Sequence, residues 1–292
     1  MARVDVREVG PRDGLQAEEP IAVEERVRFI EALLDAGVRH IEACSFVSPT
    51  AVPAMAGASE VMAAVDRRPG VVFTALVPNV KGAELALAAA VDELTVTISA
   101  SPAYSEKNVR MTIEESVAQV GEICGLAGAV PVDAVVSCAF GSPYEGDIAP
   151  DTVAALGDRL LDAGVTSLTY ADTTGMGTPV RVDALLDSTG ERVGLHLHDT
   201  RGTALVNAYA ALQRGVRRFD TSVGGLGGSP FADDAAGNLG TEDFVHLLDD
   251  MGLGSGIGLD RLLNASALAA KLVGHPLASR VAAAGPRSRR AG

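Results

Sequence analysis

The chain has 292 residues, 47% hydrophobic and 21% charged, enough apolar material for a full-sized core. Its net charge of −14 argues against a nucleic-acid or anionic-membrane partner, and the absence of Trp with 4% aromatics argues against a platform for stacked bases. No charged and apolar leader, no membrane-length apolar run and only three scattered cysteines (Cys44, Cys124, Cys138) together predict a soluble, reduced, cytoplasmic protein.

A β-type run over 4–9 precedes a helix over 23–36, whose Val27, Ile30, Leu33 and Leu34 share one face, and Gly37 stops it. A strand over 40–46, a helix over 59–65, a strand over 71–78 and an Ala-rich helix over 82–91 follow. The fourth strand spans 93–99, and a long helix over 111–126 opens on Thr112 with Glu115 three residues on, a capping-box pattern. Strand 131–140 leads to helix 152–163, and strand 167–172 to helix 180–187, which Thr178-Pro179 opens. Strand 194–198 and helix 204–214 are followed by strand 218–223 and helices over 241–251 and 260–272.

Eight strands alternating with helices predict a (β/α)8 barrel, a TIM barrel with extra C-terminal helices, as one domain over 1–280 and a frayed tail over 281–292. The alternative is a doubly wound open sheet. Against it, the first strand–helix junction, Gly10-Pro11-Arg12-Asp13-Gly14, lacks a G-x-G-x-x-G phosphate loop. A homodimer through the C-terminal helices is compatible with this architecture.

A barrel puts its site at the C-terminal ends of its strands, and closure makes the eighth strand neighbour both the first and the seventh. His196 and His198 stand two apart on one strand, so both imidazoles leave the same face. Asp13 ends the first run. The bland reading is a pair of core histidines; their place at a strand end, one strand from an acid, favours metal ligands instead. Two imidazoles and carboxylate or amide oxygens suit Mg2+ or Mn2+ better than zinc, since no cysteine joins the pattern.

Beyond the eighth strand, Gly224, Gly225, Gly227 and Gly228 let backbone approach a ligand closely, where an ordinary flexible loop is the alternative. Glu42 and Asp172 close strands and suit acid–base or orienting roles, although solvated strand ends would look the same. Arg12 either pairs with an acid or polarises a carbonyl oxygen. His40, His246, His275 and Cys44 read as structural.

Several segments resemble hydroxymethylglutaryl-CoA lyase: residues 6–16, Ile41-Glu42-Ala43-Cys44-Ser45-Phe46-Val47-Ser48-Pro49, Val77-Pro78-Asn79, Ser142-Pro143-Tyr144-Glu145-Gly146, Ala171-Asp172-Thr173, His196-Leu197-His198-Asp199-Thr200, and the glycine loop through Asn238. The likeness spans about residues 4–273 in order. Arg12-Asp13 and the His-x-His-Asp-Thr piece are shared with condensing synthases and biotin-linked carboxyltransferases; the glycine loop narrows the resemblance to the lyases. It implies a TIM barrel that cleaves 3-hydroxy-3-methylglutaryl-CoA, an acyl-CoA, to acetyl-CoA and acetoacetate. It further implies Asp13, His196, His198 and Asn238 as ligands of the divalent cation, and Arg12, Glu42 and Ser229 as catalytic. Arg12, Gln16, Lys81, Asn108 and Asp172 would bind substrate, Lys81 and Asn108 through the CoA arm.

Ser229 stands where the family carries a cysteine, Asp133 where relatives carry a basic residue, and Val135 where they carry a tyrosine. A hydroxyl is a far weaker acid than a thiol. These departures leave room for a slower enzyme, for a related 3-hydroxy-3-alkyl acyl-CoA as substrate, and for a catalytically impaired CoA- or metal-binding homologue. A related condensing enzyme is the other alternative.

Overall fold

A computed structural model describes residues 3–228 and 237–288. Eight parallel strands close into a barrel in sequence order: β1 (Asp5–Glu8), β2 (His40–Ser45), β3 (Val72–Leu76), β4 (Glu93–Ser99), β5 (Val132–Ser137), β6 (Ser167–Asp172), β7 (Gly194–Leu197) and β8 (Arg218–Thr221). β1 pairs with β8 in register from Asp5↔Arg218 to Glu8↔Thr221, which completes the ring. The expected eight-stranded barrel is the fold found, and the open sheet is not.

Parallel barrel strands lie between an inner filling and an outer layer of helices, so they bury both faces. β2 and β5 are buried at every residue. Ile41, Phe73, Leu94, Leu195 and Phe219 are fully or nearly fully buried within the core cluster. The outer layer comprises α1 (Val23–Asp35), α2 (Ala58–Ala64), α3 (Val80–Ala88), α4 (Pro102–Val109), α5 (Ile113–Ala127), α6 (Pro150–Asp162), α7 (Pro179–Thr189), α8 (Ala204–Arg214), α9 (Thr241–Asp250), α10 (Leu259–Val273) and α11 (Arg280–Ala284).

Local chemistry sets the helix ends. At α5 the Thr112 hydroxyl accepts from Glu115 N at 3.2 Å while the Glu115 carboxylate accepts from Thr112 N at 2.8 Å, so the expected capping box forms. Gly37 ends α1 at φ +102°, where an added Cβ would run into the Gly256 carbonyl oxygen. α10 packs on α1, so one face of this extra helix covers its own barrel.

Two short helices depart from the expected pattern. α4 was not anticipated, although Ser101 caps it by accepting from Tyr104 N at 3.0 Å and Pro102 opens it. Its polar Ser105-Glu106-Lys107-Asn108 run carries no apolar stripe to betray it. α11 lies at the start of the segment expected as tail, capped by Ser279 and bonded through Val281 N to Asp243 at 2.7 Å.

Candidate metal centre at the barrel rim

After β1 the backbone tightens into a single wide turn over Gly10–Gly14, in which the amides of Arg12, Asp13 and Gly14 all donate to Val9 O at 2.7–3.2 Å. The buried Glu8 carboxylate steadies this turn by accepting from Gly10 N and Val223 N at 2.8 and 2.9 Å and from the Thr241 hydroxyl at 2.6 Å. Burial pushes Glu8 up to about 7 despite these bonds. The turn thus projects Arg12 and Asp13 over the barrel mouth, tied to the segment that follows β8.

One strand beyond β8, His196 and His198 point the same way from β7 and its extension. The segment around Asn238 is laid beside them: Leu239 N donates to Leu197 O at 2.8 Å and Ser222 N to Leu239 O at 3.0 Å. His198 and Asn238 form an isolated β-bridge. Gly227 (φ +97°) must be glycine for this arrangement, because a Cβ there would overlap the Asn238 amide and crowd Asp13.

The potential ligand atoms of Asp13, His196 and His198 lie within 4.8 Å of one another. The two Nε2 atoms are 3.1 Å apart, and His196 Nε2 is 3.9 Å from Asp13 Oδ2. His196 Nδ1 faces Asp220 Oδ2 at 3.1 Å; with its proton there, Nε2 presents a lone pair to the centre. Burial, reinforced by the neighbouring His196, brings His198 down to about 4, so it is neutral at pH 7. Two lone pairs facing each other at 3.1 Å repel unless a cation or a proton lies between them. Against its burial, chiefly Arg12 brings Asp13 down to about 2, which keeps a carboxylate at the same point. The Asn238 amide nitrogen donates to Asp13 Oδ2 at 2.7 Å and Leu226 O at 2.9 Å. Its oxygen is buried and has no hydrogen-bond partner among the described residues. An orphaned amide oxygen, a carboxylate and two imidazole nitrogens form a donor set that fits a hard divalent cation.

Arg12 is clamped beside this set. Its Nε donates to Glu42 Oε2 at 2.5 Å and its Nη1 to Asp13 Oδ1 at 2.7 Å. Glu42 is 1% exposed and its Oε1 has no partner among the described residues. Gln16, exposed at the margin, reaches Asp13 Oδ1 at 3.4 Å.

The other expected residues stand apart from this cluster. Asp172 accepts from Met176 N and Gly177 N at 2.7 and 2.9 Å, organising the loop after β6, and burial pushes it up to about 6 against those bonds. Lys81, at the start of α3, is exposed and pairs with Glu84 at 2.8 Å; Asn108 is exposed on α4. Ser229 lies outside the described residues. Asp133, where relatives carry a basic residue, is fully buried near the base end of β5, bonded to Arg7 and Arg218. His40 also belongs to the base, between Asp5, Thr74 and Glu93.

Sequence reasoning missed Asp220, the carboxylate behind His196, and Glu8, which fastens the turn carrying Asp13. The available signal was alternation: Asp220 lies between Phe219, which faces the helices, and Thr221, so it must point inward.

The HMGL-like family model matches residues 3–269. Rat cytoplasmic 3-hydroxy-3-methylglutaryl-CoA lyase is 40% identical over 294 residues, covering 98% of this chain and 86% of its own. The 3-hydroxy-3-isohexenylglutaryl-CoA/hydroxy-methylglutaryl-CoA lyase of Pseudomonas aeruginosa is 40% identical over 290 residues, covering 97% of each chain. Among solved structures, an HMG-CoA lyase from Acinetobacter baumannii in complex with coenzyme A and 3-methylmalate superposes with a TM-score of 0.94 at 38% identity, over 99% of this chain and 97% of that one. With both its sequence and its fold matched over nearly their whole length, the chain belongs to the hydroxymethylglutaryl-CoA lyase family.

Proposed function

We propose that the protein cleaves 3-hydroxy-3-methylglutaryl-CoA, or a close 3-hydroxy-3-alkyl acyl-CoA, to acetyl-CoA and a keto acid such as acetoacetate. Asp13, His196, His198 and Asn238 hold Mg2+ or Mn2+ for this reaction. The carrying observation is the convergence of Asp13 with two imidazole nitrogens 3.1 Å apart beside the orphaned Asn238 oxygen. When bound, the cation supplies the Lewis acidity that lowers the pKa of the substrate's tertiary hydroxyl.

The chain's own groups divide the remaining work. In the cleavage the hydroxyl loses its proton, its oxygen forms a carbonyl, the adjacent carbon–carbon bond breaks, and the electron pair passes to the thioester enolate, which is then protonated. Arg12 is a fixed cation at the rim, set to donate to the thioester oxygen as negative charge develops there. Glu42 orients Arg12 through Nε, and its unpartnered Oε1 is a buried acceptor for the departing proton. Ser229 is assigned a hydrogen bond toward the leaving enolate. Gln16 and Asp172 line the acyl end, and Lys81 and Asn108, exposed after β3 and β4, hold the CoA arm.

The Pseudomonas relative, named for two acyl groups of different length, supports keeping the alkyl substituent open. Among the described residues no helix is long and apolar enough to cross a membrane, and the three cysteines are free. Together with a relative named as cytoplasmic, this supports a cytoplasmic location.

The test is acetyl-CoA release from a panel of 3-hydroxy-3-alkylglutaryl-CoA thioesters, with Mg2+ or Mn2+ and with chelator. Turnover that chelator abolishes and added cation restores is expected. Affinity without turnover on every thioester would overturn the lyase reading in favour of a binding protein. The variant Ser229→Cys is expected to raise the rate; no gain discards the idea that the serine slows this enzyme.

A further inference from the structure

Beneath the rim the barrel interior carries a second charged layer. Arg7, Asp220 and His196 are register partners on three adjacent strands. Arg7 donates from Nε to Asp220 Oδ1 and from Nη2 to Asp220 Oδ2, both at 2.8 Å, and Oδ2 also takes His196 Nδ1 at 3.1 Å. The remaining nitrogen, Nη1, donates to Asp133 Oδ2 at 2.9 Å. Asp133 is held in turn by Ser167, Thr169 and Arg218 at 2.6, 2.8 and 3.0 Å. Arg7, Asp133 and Asp220 are 2%, 0% and 4% exposed, so water does little of this work.

The planar fork supplies more here than charge. Two parallel N–H bonds fix the plane of the Asp220 carboxylate and leave one direction on Oδ2 open toward His196. A neutral imidazole that donates Nδ1–H to a fixed acceptor has its ring direction set and offers Nε2 as a lone pair. We propose that Arg7 is a positioning residue for the metal centre: by clamping Asp220 it fixes the tautomer and orientation of His196, and Asp133 keeps Arg7 in place. This rests on the reading that Asp13, His196, His198 and Asn238 bind a divalent cation.

Metal-free full-length protein is titrated with Mn2+ alone, following free Mn2+ by electron paramagnetic resonance, with circular dichroism as the check on folding. Arg7→Lys keeps the charge and loses the fork, and is expected to weaken Mn2+ binding about tenfold. Arg218→Lys alters the same buried network through Asp133 without touching Asp220, and is expected to leave Mn2+ affinity within about twofold of the parent. The double variant Arg7→Leu/Asp133→Leu removes one charge of each sign, so the net charge of the layer is unchanged, and is expected to bind Mn2+ as weakly as Arg7→Lys. Folded Arg7→Lys or double-variant protein with parental Mn2+ affinity overturns the proposal, as does an equal loss in Arg218→Lys. A parent protein that takes up no Mn2+ fails earlier, and overturns the metal reading itself.

Discussion

The rim and the base of this barrel are both dense in charge and nearly inaccessible to water, yet they differ in how their polar atoms are satisfied. At the base, both Asp133 oxygens and both Asp220 oxygens have partners, and Arg7 distributes its donors between the two carboxylates. At the rim, Asn238 Oδ1 and Glu42 Oε1 are buried without partners among the described residues, and two imidazole nitrogens confront each other at 3.1 Å. A satisfied buried network holds structure, whereas one left incomplete is organised around something it binds. His196 belongs to both, with Nδ1 in the base network and Nε2 at the rim.

The largest expected effect is at the rim. Asp13→Ala removes the carboxylate of the donor set, and losing the several kcal/mol that a bound cation supplies to the developing charge is expected to lower kcat/KM by on the order of 10³-fold. The same substitution relieves an incomplete buried cluster, so unfolding by urea without metal should show little or no loss of stability. A variant that keeps more than about a tenth of the activity would remove Asp13 from the centre.

Asp133→Leu inverts the pattern. It leaves Arg7 and Arg218 short of a buried counter-charge and is expected to cost roughly 3–5 kcal/mol in urea unfolding. A cost under about 1 kcal/mol would mean that water or rearranged side chains repair the base layer.

How much of each region could be foreseen follows the same division. The β4 run Glu93-Leu94-Thr95-Val96-Thr97-Ile98-Ser99 shows its period and its branched side chains openly, and the strand is found where it is expected. Asp13, His196 and His198 were legible because strand periodicity fixes the direction of the imidazoles and barrel closure brings the first and seventh strands within one neighbour of each other. Asn238 was legible only by resemblance, since its position depends on a backbone path through the glycine segment that no periodicity encodes. The Arg7–Asp133 pair was missed for another reason: the two are 126 positions apart, and a charged residue on an alternating strand reads the same whether its partner is water or an opposite charge across the barrel. Barrel interiors are expected to be apolar, and that expectation hides an ion-pair layer.

The smallest expected effect tests whether the base titrates independently of the rim. His40 Nδ1 lies 3.3 Å from Asp5, and Nε2 lies 3.1 Å from the Thr74 hydroxyl and 3.5 Å from Glu93. Burial opposes its charging, but Asp5 and Glu93 outweigh burial and the nearby Arg7, and raise His40 to about 9. The folded protein therefore holds this proton more tightly than the unfolded chain. That contribution to stability is complete below the ordinary imidazole pKa of about 6.5 and is lost as pH rises through about 9. Its upper bound is about 3 kcal/mol, from the separation of the two pKa values. Urea unfolding between pH 6 and 10 should show wild type losing stability relative to His40→Gln across that window, while Mn2+ affinity at fixed pH stays the same in both. Parallel stability curves would mean that His40 is neutral in the folded protein, and that Asp5 and Glu93 find their counter-charge in the arginines of the base instead.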